Sequence, residues 1–260
     1  MRTATLKSLL LVGGLSIMLA TPSVTSASEI KVLCTHAFME AMTQVAPQYE
    51  QQTGNKLVFT WGTTGYIVKL INGGQPADLV IATAPAMQNL VKTGKLVAGS
   101  NVSIASTGIG VAVRTGTPKP DISSAEALKK SLLSAKSISY SDPADGAASG
   151  IHFAKVLQQL GIADQMKSKS KLVGGGGNVG EVAAKGETEI AIQMTSELLP
   201  VPGITYVGPL PKELQDTTVF AAGISATTTQ QAAAKGLIDF LMSPGVEPKF
   251  KSTGLDPVAK

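Results

Sequence analysis

Cysteine is nearly missing from this 260-residue chain: Cys34 stands alone. No internal disulfide can form, so stability has to come from a hydrophobic core. Aromatic residues make up only 4%, too few for the stacking platforms that hold single-stranded nucleic acid or sugars. Arginine is scarcer still, with Arg2 and Arg114 only, and the lysines are dispersed. The net charge of +4 falls to +2 when Arg2 and Lys7 are removed, which excludes a nucleic-acid binder. Two histidines and one cysteine, scattered, make no metal-ligand spacing, and nothing in the chain implies a cofactor. No segment reaches the roughly 18 uninterrupted apolar residues of a membrane span.

What is present begins with a targeting segment. Met1-Arg2 and Lys7 are followed by an apolar run from Leu9 to Ala20 and then by Thr25-Ser26-Ala27. A basic start, a short apolar segment and a small-residue cleavage site describe a secretory signal peptide over residues 1–27. Cleavage after Ala27 leaves 233 residues, an exported, soluble and monomeric chain with room for one large or two medium domains. Cys34 lies beyond the cleavage site in an apolar strand-like run, so a lipid anchor is not expected.

Strands and helices alternate through the rest. Ile30–Cys34 reads as a buried strand, Phe38–Gln52 as a helix ended by Gly54, Leu57–Thr60 as a second strand and Leu79–Ala82 as a third. Further strands are expected at Ile109–Val113, Ile138–Tyr140, Glu189–Met194 and Val219–Ile224. Helices are expected at Ser123–Ala135, with Ser123 and Glu126 as a capping pair, at Ile151–Leu160 and at Thr228–Leu241. The tail Phe250–Pro257 is polar and expected on the surface. This alternation predicts an α/β fold with mostly parallel sheets flanked by helices, in which ligands bind beyond the carboxyl ends of the strands.

The stretch Trp61-Gly62-Thr63-Thr64-Gly65-Tyr66 lies at such an edge. Its glycines allow a tight turn and its threonines offer hydroxyls beside the unsatisfied amides of a following helix, a setting for an oxyanion or a carboxylate. Thr35 and His36 lie at the same edge, and Ser141 through Ser149 repeat the pattern of strand, small-residue loop and helix. The candidate ligand-binding residues are Thr35, His36, Thr63, Thr64, Ser141, Ser149 and Asn178, with His36 or Lys69 as a cation. Each has a plainer alternative: threonines as caps, Asp142 and Asp145 as turn residues, either histidine on the surface, Cys34 as a small core residue. Gly174–Gly177 is not followed by Gly-Lys-Ser/Thr, so it reads as a flexible connection rather than a nucleotide loop.

Thr60-Trp-Gly-Thr-Thr-Gly65, Gln75-Pro-Ala-Asp-Leu-Val-Ile81, Ser141-Asp-Pro143 and Leu241-Met-Ser-Pro244 together resemble the periplasmic solute-binding proteins of the molybdate-binding type, over nearly the whole mature chain. The resemblance implies a two-lobed periplasmic-binding-protein fold (type II) joined by crossover strands. Lobe one would take residues 28–110 with 222–260 and lobe two 111–221. It also implies a periplasmic protein that captures a small anion for an ABC permease. Ala37 stands where that family has a serine, Thr63-Thr64 where it has a serine pair, and Gln193-Met194 near the position of a tyrosine. These substitutions resemble a branch that includes a periplasmic aconitate isomerase, which implies a tricarboxylate and an allylic proton transfer. His36 would then be acid and base, with His152 in reserve.

Overall fold

The computed structural model describes residues 28–258; residues 1–27, expected from the sequence to be a signal peptide, lie outside the described residues. The chain runs through β1 (Glu29–Thr35), α1 (Met39–Thr53), β2 (Lys56–Gly62), α2 (Thr64–Asn72), β3 (Leu79–Thr83), α3 (Ala84–Lys92) and β4 (Val102–Thr107). It continues through β5 (Ile109–Arg114), α4 (Ala125–Ser134), β6 (Ile138–Ser141), α5 (Ala148–Gln159), α6 (Ala163–Lys167), β7 (Ser170–Val173), α7 (Val179–Ala184), β8 (Ile190–Met194), α8 (Thr195–Leu198) and β9 (Ile204–Pro209). It closes with β10 (Thr218–Ile224), α9 (Gln231–Leu241), α10 (Glu247–Ser252) and β11 (Asp256–Pro257). No described helix is long and apolar enough to cross a membrane.

Two sheets result, ordered β11-β4-β10-β3-β1-β2 and β7-β6-β8-β5-β9, and they form the two lobes of a type II binding-protein fold. Both are mixed. Pairing is parallel where strand, helix and strand follow in sequence, as in β1 with β2 and β3 or β6 with β7 and β8. It turns antiparallel around β4, β5 and β10, which carry the chain from one lobe to the other. A strand arriving from the other lobe enters its sheet from the cleft end, opposite to the strands that a helix has returned to the far end.

Side-chain alternation explains why these strands are central. Ile30, Val32 and Cys34 of β1 face one core with Leu79 and Ile81 of β3. Leu33, Val80 and Ala82 face a second core under α2 and α3. Strands buried on both faces read as continuous apolar runs, which is how they are visible in the sequence. On the first face Phe38 meets Phe220 and Phe250 edge-on, with centroids 5.4 and 5.7 Å apart. In the other lobe Ile109, Val111, Ile190 and Ile192 pack around Phe153, itself edge-on to Tyr140 at 5.1 Å.

Several expectations change. Phe250 and Leu255 are fully buried and β11 pairs with β4, so the tail is core and sheet edge rather than surface. The cap of α4 is Ser124, whose hydroxyl accepts from the Ala127 amide at 3.2 Å, while the Ser123 amide bonds Asp121. β4 and β9 have no counterpart in the sequence reading, because both carry mixed polar and apolar residues half in contact with solvent. Residues 218–221, expected with lobe two, are hydrogen-bonded into the first sheet along with the rest of β10.

The lobes are joined by two close crossings, Gly108 between β4 and β5 and residues 210–217 between β9 and β10. Gln215 ties one crossing to the other. Its side-chain amide accepts from Ile109 N and donates to Ile109 O, both at 2.8 Å, imitating a strand partner across the hinge.

Candidate functional site

The carboxyl ends of five strands meet between the lobes. Thr35 of β1 and Gly62 of β2 come from lobe one; Ser141 of β6, Val173 of β7 and Met194 of β8 come from lobe two; all line one inner chamber of about 40 Å³. An adjoining outer chamber of about 670 Å³ shares His36, Gly62, Thr63 and Gly176 with it and adds Trp61, Tyr66, Lys69 and Asp145. Trp61 is stacked on Phe59 with centroids 4.7 Å apart, so it both lines the outer chamber and packs along its own strand.

Six of the seven predicted binding residues, Thr35, His36, Thr63, Thr64, Ser141 and Ser149, stand on the inner chamber. Their chemistry differs. Thr35 is buried and its hydroxyl has no partner among the described residues, a cost of about 1–3 kcal/mol in a finished core. The Ser141 and Ser149 hydroxyls are buried and only loosely joined, at 3.5 Å. Ser149 lies in the first turn of α5, whose cap position is Ala147, with no side chain to satisfy the leading amides. Unsatisfied amides at the start of a twelve-residue helix favour an anion.

Thr63 is already committed. Its hydroxyl accepts from Tyr66 N at 3.1 Å, capping α2, and donates across the cleft to Asp145 O at 2.5 Å. Gly65 N donates to Gly146 O at 3.3 Å beside it. A Cβ on Gly65 would stand 2.8 Å from the Asp145 carbonyl, so this glycine serves the close approach of two lobes rather than a turn. The turn expected over residues 61–66 is instead the end of β2 running to Gly62 and α2 starting at Thr64.

Asn178 does not reach the inner chamber. Its carbonyl oxygen caps α7 by accepting from Gly180 N at 2.8 Å, and its amide donates to the Glu197 carbonyl at 3.1 Å. The preceding glycines are not a loose connection. Gly175 and Gly176 turn with φ of 63° and 76°, the Asp145 carboxylate accepts from Gly175 N at 2.6 Å, and Gly176 lies against His36 so closely that a Cβ would collide with the ring.

His36 is half-buried, and burial lowers its pKa, so the ring is neutral at neutral pH. Its ring nitrogens make no hydrogen bond among the described residues, whereas His152 is spent at the hinge, 2.7 Å from Leu214 O. Cys34 is wholly buried and burial pushes its thiol up, which leaves it a core residue.

Sequence reasoning missed Glu197. It lies in α8, just past the end of β8, and lines both the inner chamber and a neighbouring opening beside Asn178 and Glu181. Burial pushes its pKa up to about 7. The rule that drew attention to His36 after β1 applies equally to the residues after β8 and would have found it.

A cleft between two α/β lobes, with strand ends and neutral donors converging from both sides, is the setting of a protein that binds a small solute. The chain belongs to the bacterial extracellular solute-binding protein family, matching it over residues 30–256. An aconitate isomerase from Pseudomonas sp is 32% identical over 235 residues, 88% of each chain. The molybdate-binding protein ModA of Azotobacter vinelandii is 28% identical over 88% of this chain and 90% of its own. The solved structure of an Azotobacter vinelandii periplasmic molybdate-binding protein superposes with a TM-score of 0.73 at 21% identity, covering 89% of this chain and 99% of that one.

Proposed function

We propose that this solute-binding chain works in the periplasm, where it closes on a small polycarboxylate and interconverts the cis and trans forms of aconitate. The observation that carries the reading is His36: a half-buried imidazole with no hydrogen bond among the described residues, at the wall shared by both chambers, its pKa lowered by burial. Uncommitted imidazole is a general base near neutral pH. It takes a proton from the methylene carbon beside one terminal carboxylate, the electron pair becomes a new double bond, and the old double bond is protonated at its far carbon. The product is again aconitate, its geometry set by how the chain is held as the proton arrives. Nothing is oxidised and no co-reactant is consumed.

The binding set is Thr35, Thr64, Ser141, Ser149 and the leading amides of α5 around one carboxylate. Lys69, which has no carboxylate within 4.0 Å among the described residues, would meet another in the outer chamber. Thr63 and Asn178 act by position, one joining the lobes and the other fixing the helix beside the glycine turn. A chamber pair suits an elongated ligand. The 32% identity to an aconitate isomerase over most of both chains supports the same reading.

A second reading rests on the neutral hydroxyl and amide donors of the inner chamber alone. They suit a tetrahedral oxyanion, and the chain would then deliver molybdate or a similar ion to an ABC permease. One experiment separates the two: thermal shift of the mature protein with molybdate, tungstate, sulfate, phosphate, citrate and both aconitates, then an interconversion assay in the same tubes. Shifts with tricarboxylates and turnover of aconitate support the first reading; a shift with molybdate or tungstate alone overturns it.

A further inference from the structure

His36 accounts for one proton transfer, but an allylic shift moves protons at two carbons, one losing and one gaining. The cleft offers a second titratable group on its other wall. Glu197 enters the inner chamber from the end of β8 in lobe two, while His36 enters from the end of β1 in lobe one.

The carboxyl of Glu197 is positioned without being neutralised. Gln193 Nε2 donates to its Oε1 at 3.1 Å, and the orientation of that amide is set because Gln193 Oε1 accepts from Val179 N at 2.9 Å. Asn178 Nδ2 holds the Glu197 main-chain carbonyl at 3.1 Å. Among the described residues no lysine, arginine or histidine lies within ion-pair distance of it. A carboxyl kept for stability is paired or left in water; this one is held rigidly against the ligand space with no cation. In the anion cleft a permanently charged carboxylate would repel the solute, so the arrangement makes sense for a group that carries a proton part of the time. Its pKa of about 7 agrees with that use.

We propose that Glu197 is the second catalytic residue of the cleft, donating a proton to one allylic carbon while His36 removes a proton from the other. This rests on the isomerase reading above. In the forward step the His36 imidazole becomes imidazolium, the ligand's double bond moves one position, and the Glu197 carboxylic acid becomes carboxylate. The reverse reaction uses the swapped pair, and solvent returns the proton from His36 to Glu197 once the lobes part. The two groups come from segments that meet where the lobes join, α8 packing against the turn that carries His36, and a cleft closed over the ligand keeps bulk water from quenching the carbanionic intermediate.

The test follows isotopes in the full mature protein. With cis-aconitate in deuterium oxide, the first-turnover product should carry one solvent deuterium, and a label placed on the substrate methylene should be lost rather than transferred. Glu197→Gln should lower turnover at least about 100-fold yet still exchange the methylene proton with solvent, since His36 remains; His36→Gln should lose both. The aconitate-induced thermal shift, retained in both variants, shows that each is folded and binds. Transfer of the substrate's own label within the product, or an E197Q protein as fast as the parent, overturns the two-residue scheme and leaves His36 acting alone. An unmodified protein that binds or ignores aconitate without converting it overturns the isomerase reading itself, and this inference with it.

Discussion

Asp78 and Thr35, at opposite ends of two neighbouring strands of the first sheet, are treated in opposite ways. At the amino end Asp78 is buried and fully bonded: Oδ2 accepts from Lys31 N at 2.7 Å and Gln230 Nε2 at 3.4 Å, and Oδ1 accepts from Thr228 Oγ1 at 2.5 Å. At the carboxyl end Thr35 keeps a buried hydroxyl with no partner, and the ring nitrogens of His36 are unbonded among the described residues. Satisfied polar groups hold a fold together, whereas unsatisfied ones at the edge of a closing cleft await a ligand. The two positions lie about 20 Å apart or less along the strands.

That contrast can be broken at either end. The largest effect is expected at the functional end: His36→Gln should cut isomerisation by about 10²–10⁴-fold with little change in melting midpoint, measured by turnover and thermal denaturation. At the structural end Asp78→Ala should do the converse. Leaving Lys31 N and Thr228 Oγ1 unsatisfied should cost about 2–4 kcal/mol, read from denaturant unfolding, while ligand-induced thermal shifts keep their size.

Glu197 sharpens the contrast through pH. Its pKa rises from 4.5 to about 7 on folding, so between those values the unfolded chain loses the proton first. Stability from this group therefore falls as pH rises through that window, and the penalty is absent below it. Glu197→Gln should match the parent near pH 4 and exceed it at pH 8 by about 1–3 kcal/mol, in paired unfolding curves at both pH values. The smallest effect is expected for Thr35→Val, which removes an unsatisfied hydroxyl. It should stabilise the protein by about 0.5–1 kcal/mol and weaken ligand binding by about five- to tenfold; a destabilised variant with unchanged affinity would contradict the contrast.

Much of this is legible in the sequence. Continuous apolar runs marked β1, β3, β5 and β8, because strands covered on both faces have no polar side to disguise them. Thr35, His36, Thr63, Thr64, Ser141 and Ser149 followed from one rule about strand ends and helix starts, and all six line one chamber. Asn178 was recognised as a polar residue beside glycines, but whether such a residue caps its own helix or faces a ligand depends on a rotamer. Glu197 was passed over because nothing in Thr195-Ser-Glu197 announces burial. The burial comes from a lobe that is distant in sequence. The glycine run read as flexible because its order comes from Asp145 and His36, far away along the chain.

Alternation of apolar runs, caps and turn residues is local, so the sequence alone determined the α/β class, the strand ends that carry the polar loops, and the kinds of donor presented there. Tertiary structure decided which of those donors remain free. Thr63 was spent on Asp145, Gln193 on Val179 and Glu197, and His152 on Leu214, while His36 and Thr35 were left at the cleft without a partner among the described residues. The reason is that a hydrogen bond or a desolvated charge depends on distance in space, and partners such as Thr63 and Asp145 lie 82 positions apart in the chain, in opposite lobes.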